Sequence, residues 1–205
     1  MESTVPYVDE PIPILDGQHL DVPRREEYER WLALHSSAKG MDPRITPLVA
    51  SLNARGLPTW GSCEGHPDDF PQGTWYPWVY IGTNPGPLAV SAHDYRGLGE
   101  YRDAAREVEI AAHEIVGGFY AAAGFPEDEI VPAILPLGSY GYFALIPAGV
   151  FPGGDGHRVV GHHLGLEGRR DFHRRAWREF DLLTEWLITG VITNERSDSR
   201  PPAES

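Results

Sequence analysis

Residues 42–66 of this 205-residue chain, DPRITPLVASLNARGLPTWGSCEGH, combine a helix pattern, a strand pattern and the loop with the single cysteine. This stretch predicts a helix over residues 42–56, because apolar residues recur there with helical spacing and Gly56 supplies a left-handed stop. A short strand over residues 57–61 then leads into a glycine-jointed loop, and the chain returns as a second strand over residues 77–81. The apolar residues with helical spacing are Ile45, Leu48, Val49 and Leu52.

Helices and strands are also predicted outside this stretch, and they define the fold class. Strands alternate irregularly with helices, which favours an α+β fold with a mixed sheet covered by helices. We predict one domain over residues 23–192, an extended arm over 1–22 before it, and a polar, disordered tail over 193–205. The further elements are a helix over 23–36, a strand over 88–92, a long helix over 99–123, strands over 130–135 and 142–146, and a long amphipathic C-terminal helix over 168–188.

Charge and cysteine content exclude several classes of protein. The net charge of −13 argues against a general nucleic-acid binder and against binding to an anionic membrane surface. A single cysteine excludes an internal disulfide, and no export signal is visible, so we expect a soluble, cytoplasmic protein. Arginine outnumbers lysine sixteen to one, which is typical of a GC-rich bacterial genome.

The loop that holds the single cysteine is the part of the sequence that indicates chemistry. Cys63 becomes a nucleophile if His66 lowers its pKa, and Glu64 between them can move protons. Gly65 lets the backbone approach a ligand, and Ser62 is a further candidate ligand contact. In the alternative interpretation Cys63 is a small buried apolar residue and the loop is an ordinary turn.

The same loop supplies half of a metal site. Cys63 and His66 together with one distant histidine, namely His157, His162 or His163, would give three protein ligands and an open position. That ligand set predicts a divalent transition metal. In the alternative interpretation these histidines are polar loop residues without a metal.

Tryptophans crowd the loop on both sides. Trp60 precedes it, and Trp75 and Trp78 follow it. Aromatic rings at this density form either the wall of a ligand pocket, where they stack on a planar group, or an apolar core. We predict that they line a pocket.

A basic cluster breaks the acidic pattern on the C-terminal helix. Arg170, Arg174 and Arg178 follow one another at four-residue spacing and therefore share one helix face. This face either receives an anionic ligand or an acidic partner, or is a solvated surface paired with nearby carboxylates.

The pattern L-x3-L-N-x2-G-L-x-T-x2-S-C-E-G-H over residues 48–66, followed by Pro77-Trp78-Val79, resembles a block found in uncharacterised bacterial and phage proteins. More distantly it is similar to the Ser-Cys-Ser-Gly-Arg loop of the wybutosine-synthesising transfer-RNA methyltransferase family. This chain has Gly61 and Glu64 where that family has serines, and His66 where it has arginine. From this likeness we take only the expectation that the loop lines a pocket.

Three functions remain open on the sequence alone. The first is an enzyme that acts on a small polar or anionic substrate at the Cys63–His66 loop. The second is a non-catalytic binding or regulatory module that uses the same pocket or the basic helix, with a small molecule, a protein partner or a second copy of the chain as the ligand. The third is a metal-dependent hydrolase.

Overall fold

The computed structural model describes residues 21–70, 73–82, 98–125, 130–137, 142–148, 150 and 164–192. Most of the predicted arm, the predicted strand over 88–92, all three candidate histidines of the 157–163 segment including His162, and the tail lie outside these residues. The described elements are α1 (Arg25–Ser36), α2 (Thr46–Ala54), β1 (Thr59–Cys63), β2 (Trp78–Ile81), α3 (Leu98–Ala123), β3 (Pro132–Leu137), β4 (Tyr142–Pro147) and α4 (Leu166–Thr189).

The four strands form one sheet in the order β1-β2-β4-β3. All three pairings among the described strands are antiparallel, whereas we had predicted a mixed sheet. The physical reason is clearest for β3 and β4. Only four residues separate these two strands, whereas a parallel pair requires a crossover of about a dozen residues or more. The α+β class is confirmed, and the prediction that residues 57–61 and 77–81 contribute strands to one sheet is confirmed as well.

The two faces of the sheet bury different residues. Side chains alternate along β2, so that Val79 and Ile81 pack in the main core with apolar residues of α2, α3 and α4. Trp78 and Tyr80 point to the opposite face, where they pack in a second cluster with Trp75. This second face is the one next to the cysteine loop.

Helix α2 is buried on nearly all sides, with eight of its nine residues buried. It ends as predicted, because Gly56 adopts φ 77° and the Leu57 amide donates to the Leu52 carbonyl at 2.9 Å. It begins at Thr46, four residues after the predicted start at residue 42, and the Thr46 hydroxyl donates to the Asp42 carbonyl at 2.8 Å. Asp42 therefore lies before the helix, and its side chain is available for other contacts.

Arg55 joins the end of α2 to the last turn of α4. Its guanidinium donates to the carbonyls of Leu187 at 2.9 Å and Trp186 at 3.2 Å, and it stacks on the Trp186 ring. The side chain is 2% exposed, and burial lowers its pKa to about 10, so it stays charged at neutral pH. The Leu187 carbonyl lies in the last turn, where a helix lacks intrahelical donors, whereas the Trp186 carbonyl also accepts from the Gly190 amide at 2.8 Å.

Replacing Arg55 with methionine is expected to lower the free energy of unfolding by about 2 kcal/mol, because the Leu187 carbonyl loses the Arg55 donor and the Trp186 carbonyl keeps only the Gly190 amide. Chemical denaturation monitored by circular dichroism measures this. Arg30→Met is the matched control, since Arg30 also lies near a tryptophan but is exposed, and it should change stability by less than about 0.5 kcal/mol. Equal losses of stability in Arg55→Met and Arg30→Met would contradict the stabilising contact of Arg55 with α4.

A second polar contact in the interior joins α1 to α2. The buried His35 bonds the Asn53 side chain through Nε2 at 2.7 Å, and Asn53 in turn donates to the Leu57 carbonyl at 2.8 Å. His35 also stacks on Trp31. His35 is used below as the control for a second histidine, His173, that also bonds through Nε2.

Helix α4 confirms the predicted C-terminal amphipathic helix. It begins at Leu166 and ends where Gly190 adopts φ 70°. Its apolar side chains form a buried stripe, and no helix among the described residues is both long and apolar enough to cross a membrane. The buried apolar residues of the stripe are Ala176, Trp177, Phe180, Leu183, Trp186 and Leu187.

Candidate metal centre

Cys63 is the last residue of β1, although we had predicted the strand to end at Gly61. Its Cα pairs with that of Trp78, so the two side chains share the second face of the sheet. Cys63 is half-buried and reduced, and the amide of Gly65 donates to its sulfur at 3.3 Å. The thiol is thus held at a strand end, where backbone geometry is fixed by the sheet.

Three potential metal ligands converge at this strand end. The side chains of Asp42, Cys63 and His66 each offer one ligand atom, and these three atoms all lie within 4.8 Å of one another. The Asp42 Oδ2 atom and the His66 Nε2 atom are 3.7 Å apart. The sequence predicted that Cys63 and His66 act together, but it did not identify Asp42 as the third member.

Burial raises the pKa of Cys63 to about 11. The Gly65 amide acts in the opposite direction, since it stabilises the thiolate, while a hydrogen bond to Asp42 and the nearby carboxylates favour the thiol further. Without an added cation the sulfur therefore carries a proton at neutral pH. A metal ion in the triangle would reverse this preference, because a coordinating thiol is deprotonated outright.

Glu64 fixes the cysteine loop to the segment before α2. Its amide donates to Asp42 Oδ2 at 3.1 Å, and its carboxylate accepts from the Arg44 amide at 3.1 Å. The described contact of the Glu64 carboxylate is thus with backbone, and its predicted role as a proton carrier stays a prediction. The two contacts place Asp42 beside the loop.

Helix α4 holds the same loop from the other side. His173 Nε2 lies 2.9 Å from the Glu64 carbonyl oxygen, and the Trp177 indole donates to that oxygen, also at 2.9 Å. Arg44 stacks on the Trp177 ring at 4.2 Å and donates to Asp181 at 3.2 Å. Burial lowers the pKa of His173, so its ring stays neutral at neutral pH. No local sequence pattern predicts this contact, because the two positions lie more than 100 residues apart.

Gly65 closes the turn between two of the ligands. It is buried with φ 82°, and a Cβ atom at this position would lie 2.5 Å from the backbone carbon of Tyr76. Only glycine fits both the left-handed conformation and the close approach of the Tyr76 backbone. The neighbouring His66 amide donates to the Thr74 carbonyl at 2.7 Å.

The structure divides the predicted aromatic wall. Trp60 and Trp78 are half-buried and both pack on the Tyr80 ring, at 4.8 and 4.1 Å between centroids. Trp75 is 2% exposed and contacts Phe172, so it belongs to the interior of the second cluster. The predicted contact of Trp60 and Trp78 with a ligand stays a prediction.

Ser62 lies on the opposite face of the sheet from Cys63. Its Cα pairs with that of Val79, which packs in the main core. Its hydroxyl contacts the Met41 sulfur at 3.4 Å. This geometry therefore does not place Ser62 in direct contact with a ligand bound beside Cys63.

The arginines predicted to bind an anion have carboxylate neighbours. Arg170 bonds Asp68 at 2.8 Å and Glu167 at 2.9 Å, and Arg174 bonds Asp171 at 2.6 Å. Arg178, the third of the set, is exposed. These exposed pairs favour the solvated-surface interpretation for Arg170 and Arg174.

No protein-family model, curated protein or solved structure matches the chain at a significant level. The resemblance of the cysteine loop to a transfer-RNA methyltransferase family therefore stays a prediction. What the site offers chemically comes from its own residues: a thiol, an imidazole and a carboxylate that converge beside the end of an edge strand.

Proposed function

We propose that the chain is a metal-dependent hydrolase, with one divalent transition metal ion bound by Asp42, Cys63 and His66. The observation that carries the proposal is the convergence of their ligand atoms within 4.8 Å. Three protein ligands with a fourth position left for water or substrate are the pattern of catalytic zinc sites. The bacterial origin and cytoplasmic location expected from composition belong to the same proposal.

The distances suit a tetrahedral ion after a small contraction. Bonds of about 2.0–2.3 Å at the tetrahedral angle place neighbouring ligand atoms roughly 3.4–3.6 Å apart. The Asp42 and His66 atoms, at 3.7 Å, already lie near that separation. Asp42 and His66 side chains are partly exposed, at 28% and 40%, so an ion can enter from solvent. Side-chain rotation of these two residues supplies the remaining movement.

The roles of the residues follow from their chemistry. Cys63 and Asp42 each contribute a negative charge, and His66 contributes a neutral nitrogen, so the site neutralises a divalent ion. An ion bound there lowers the pKa of a coordinated water to ~7 and supplies the nucleophile for hydrolysis. The Glu64 and Gly65 amides hold two of the ligands in place.

A thiol enzyme is the second candidate, because the approach of His66 to Asp42 resembles the base and its orienting carboxylate in nucleophilic sites. The environment of the sulfur counts against it. Activated cysteines have a lowered pKa, whereas burial raises that of Cys63 to about 11. The metal interpretation uses the same three residues. It also explains why the carboxylate of Asp42 lies close to the thiol of Cys63, since both groups would bind the ion.

The direct test of the metal site is elemental analysis of the untagged protein after incubation with Zn²⁺ and gel filtration. We expect about one zinc per chain in the wild type, and loss of zinc in Asp42→Ala, Cys63→Ser and His66→Ala. Glu167→Ala, which removes an exposed carboxylate on α4, is the control and should retain zinc. Full zinc content in the Cys63→Ser variant would refute the assignment.

Hydrolysis is tested separately with p-nitrophenyl acetate and p-nitrophenyl phosphate. We expect turnover by the zinc-loaded protein that is lost after chelation and restored by zinc. A protein that binds zinc stoichiometrically but hydrolyses neither probe would favour the binding or regulatory module. Turnover that survives chelation and is abolished by iodoacetamide would favour the thiol enzyme.

A further inference from the structure

We infer that His173 is a positioning residue for Cys63, and that it acts through the peptide group between Glu64 and Gly65. The inference rests on the proposed metal site and deepens it, since it explains how the sulfur is oriented. His173 lies on α4, more than 100 residues away from the loop in sequence, and it is half-buried beneath the loop backbone.

The argument begins with one planar unit. The Glu64 carbonyl and the Gly65 amide belong to the same peptide group, and in a trans peptide the two point in opposite directions. The carbonyl oxygen contacts His173 and Trp177 at 2.9 Å each. The amide on the other side points to the Cys63 sulfur at 3.3 Å. Fixing the oxygen on α4 therefore aims the N–H group at the sulfur.

The geometry also assigns the proton on His173. Its Nε2 faces the carbonyl oxygen at 2.9 Å, where a bare nitrogen would meet an oxygen lone pair. The ring therefore carries a proton on Nε2 and donates it to that oxygen. The Trp177 indole donates to the same oxygen and also lies 3.1 Å from Nε2, so the three groups form one polar cluster. Two side chains of α4 therefore meet the Glu64 carbonyl oxygen.

The two segments that carry the ligands are tied to α4 together. Arg44, two residues after Asp42, stacks on Trp177 and bonds Asp181 on α4. The loop with Cys63 and His66 is tied through the Glu64 carbonyl. Groups that orient metal ligands from behind typically contribute 10–100-fold to metal affinity. We expect a contribution of that size from His173.

Co²⁺ titration is the test, because the thiolate-to-cobalt charge-transfer band reports both affinity and the environment of the sulfur. His173→Phe keeps a ring but removes the donor, so we expect 10–100-fold weaker Co²⁺ binding and a band shifted to lower energy. His173→Gln retains a side-chain N–H and should lie closer to wild type in both measures. If His173→Phe does not fold, Trp177→Phe removes the other donor to the same oxygen and takes its place.

His35→Phe is the matched control, since His35 is also a buried histidine with a hydrogen bond through Nε2, but to Asn53. It should reduce thermal stability and leave the cobalt affinity and band unchanged. An unchanged band and affinity in His173→Phe, or an equal loss in His35→Phe, would overturn the positioning role while leaving the metal site intact. Failure of the wild type to bind Co²⁺ would instead remove the proposed function and this inference together.

Discussion

Replacing Gly65 with alanine is expected to lower the free energy of unfolding by about 3–4 kcal/mol. About 1–3 kcal/mol comes from the left-handed conformation, since φ is 82°, and a similar amount from overlap with a packed neighbour. The added methyl group would lie 2.5 Å from the Tyr76 backbone carbon, and backbone cannot rotate away as a side-chain end can. Denaturant unfolding followed by tryptophan fluorescence measures the loss.

Gly117→Ala is the control for this change. Gly117 lies within α3, and a Cβ atom there would meet no described atom within 4 Å. Alanine is the better helix former by about 0.5–1 kcal/mol, so this variant should be more stable than the wild type. If Gly65→Ala were as stable as Gly117→Ala, the close approach of the cysteine loop to the Tyr76 backbone would be refuted.

Zinc affinity is expected to rise about tenfold for each pH unit between pH 7.5 and 9.5. Cys63 must lose its proton to bind the ion, and burial raises its pKa to about 11. The thiol is therefore almost fully protonated throughout this range, and the thiolate fraction grows tenfold per unit until pH approaches the pKa. Competition with a chelator of known pH dependence gives the affinity, and the total change should be about 100-fold.

Cys63→Asp is the control, because a carboxylate ligand is already ionised over this pH range. Its zinc affinity should change little with pH. A wild-type affinity that is flat from pH 7.5 to 9.5 would mean that the sulfur is not a ligand, even if zinc is bound. A slope in the wild type that disappears in Cys63→Asp would identify the thiol as the proton source.

Local patterns were sufficient to predict most of the helices and strands. The C-terminal helix was predictable because its apolar residues recur every three or four positions and Gly190 ends it. The end of α2 was equally clear from Gly56. The start of α2 was not, because both Asp42-Pro43 and Thr46-Pro47 satisfy the rules for a first turn. Which one acts depends on tertiary contacts of Asp42 that no local rule contains.

In the candidate site, too, contacts between residues close in sequence were predictable and contacts between distant residues were not. Cys63 and His66 could be paired from their spacing alone, since three residues on a turn keep two side chains close. Asp42 and His173 could not be assigned to the site from the sequence, because their approach to the cysteine loop depends on how α2 and α4 pack against the sheet. Trp75 was predicted to line a pocket, and its interior position could not be predicted for the same reason, because it packs against residues distant in sequence such as Phe172 on α4.

The burial of α2 on nearly all sides restricts insertions and deletions between the ligands in any related protein that keeps this site. Twenty residues separate Asp42 from Cys63, and α2 lies between them. Inserting or deleting one residue in a helix rotates everything beyond it by about 100°, and a helix without a solvent face cannot absorb that rotation. The spacing D-x20-C-x2-H should therefore stay constant in any descendant that keeps the site, and it is a sharper search pattern than Cys-x-x-His.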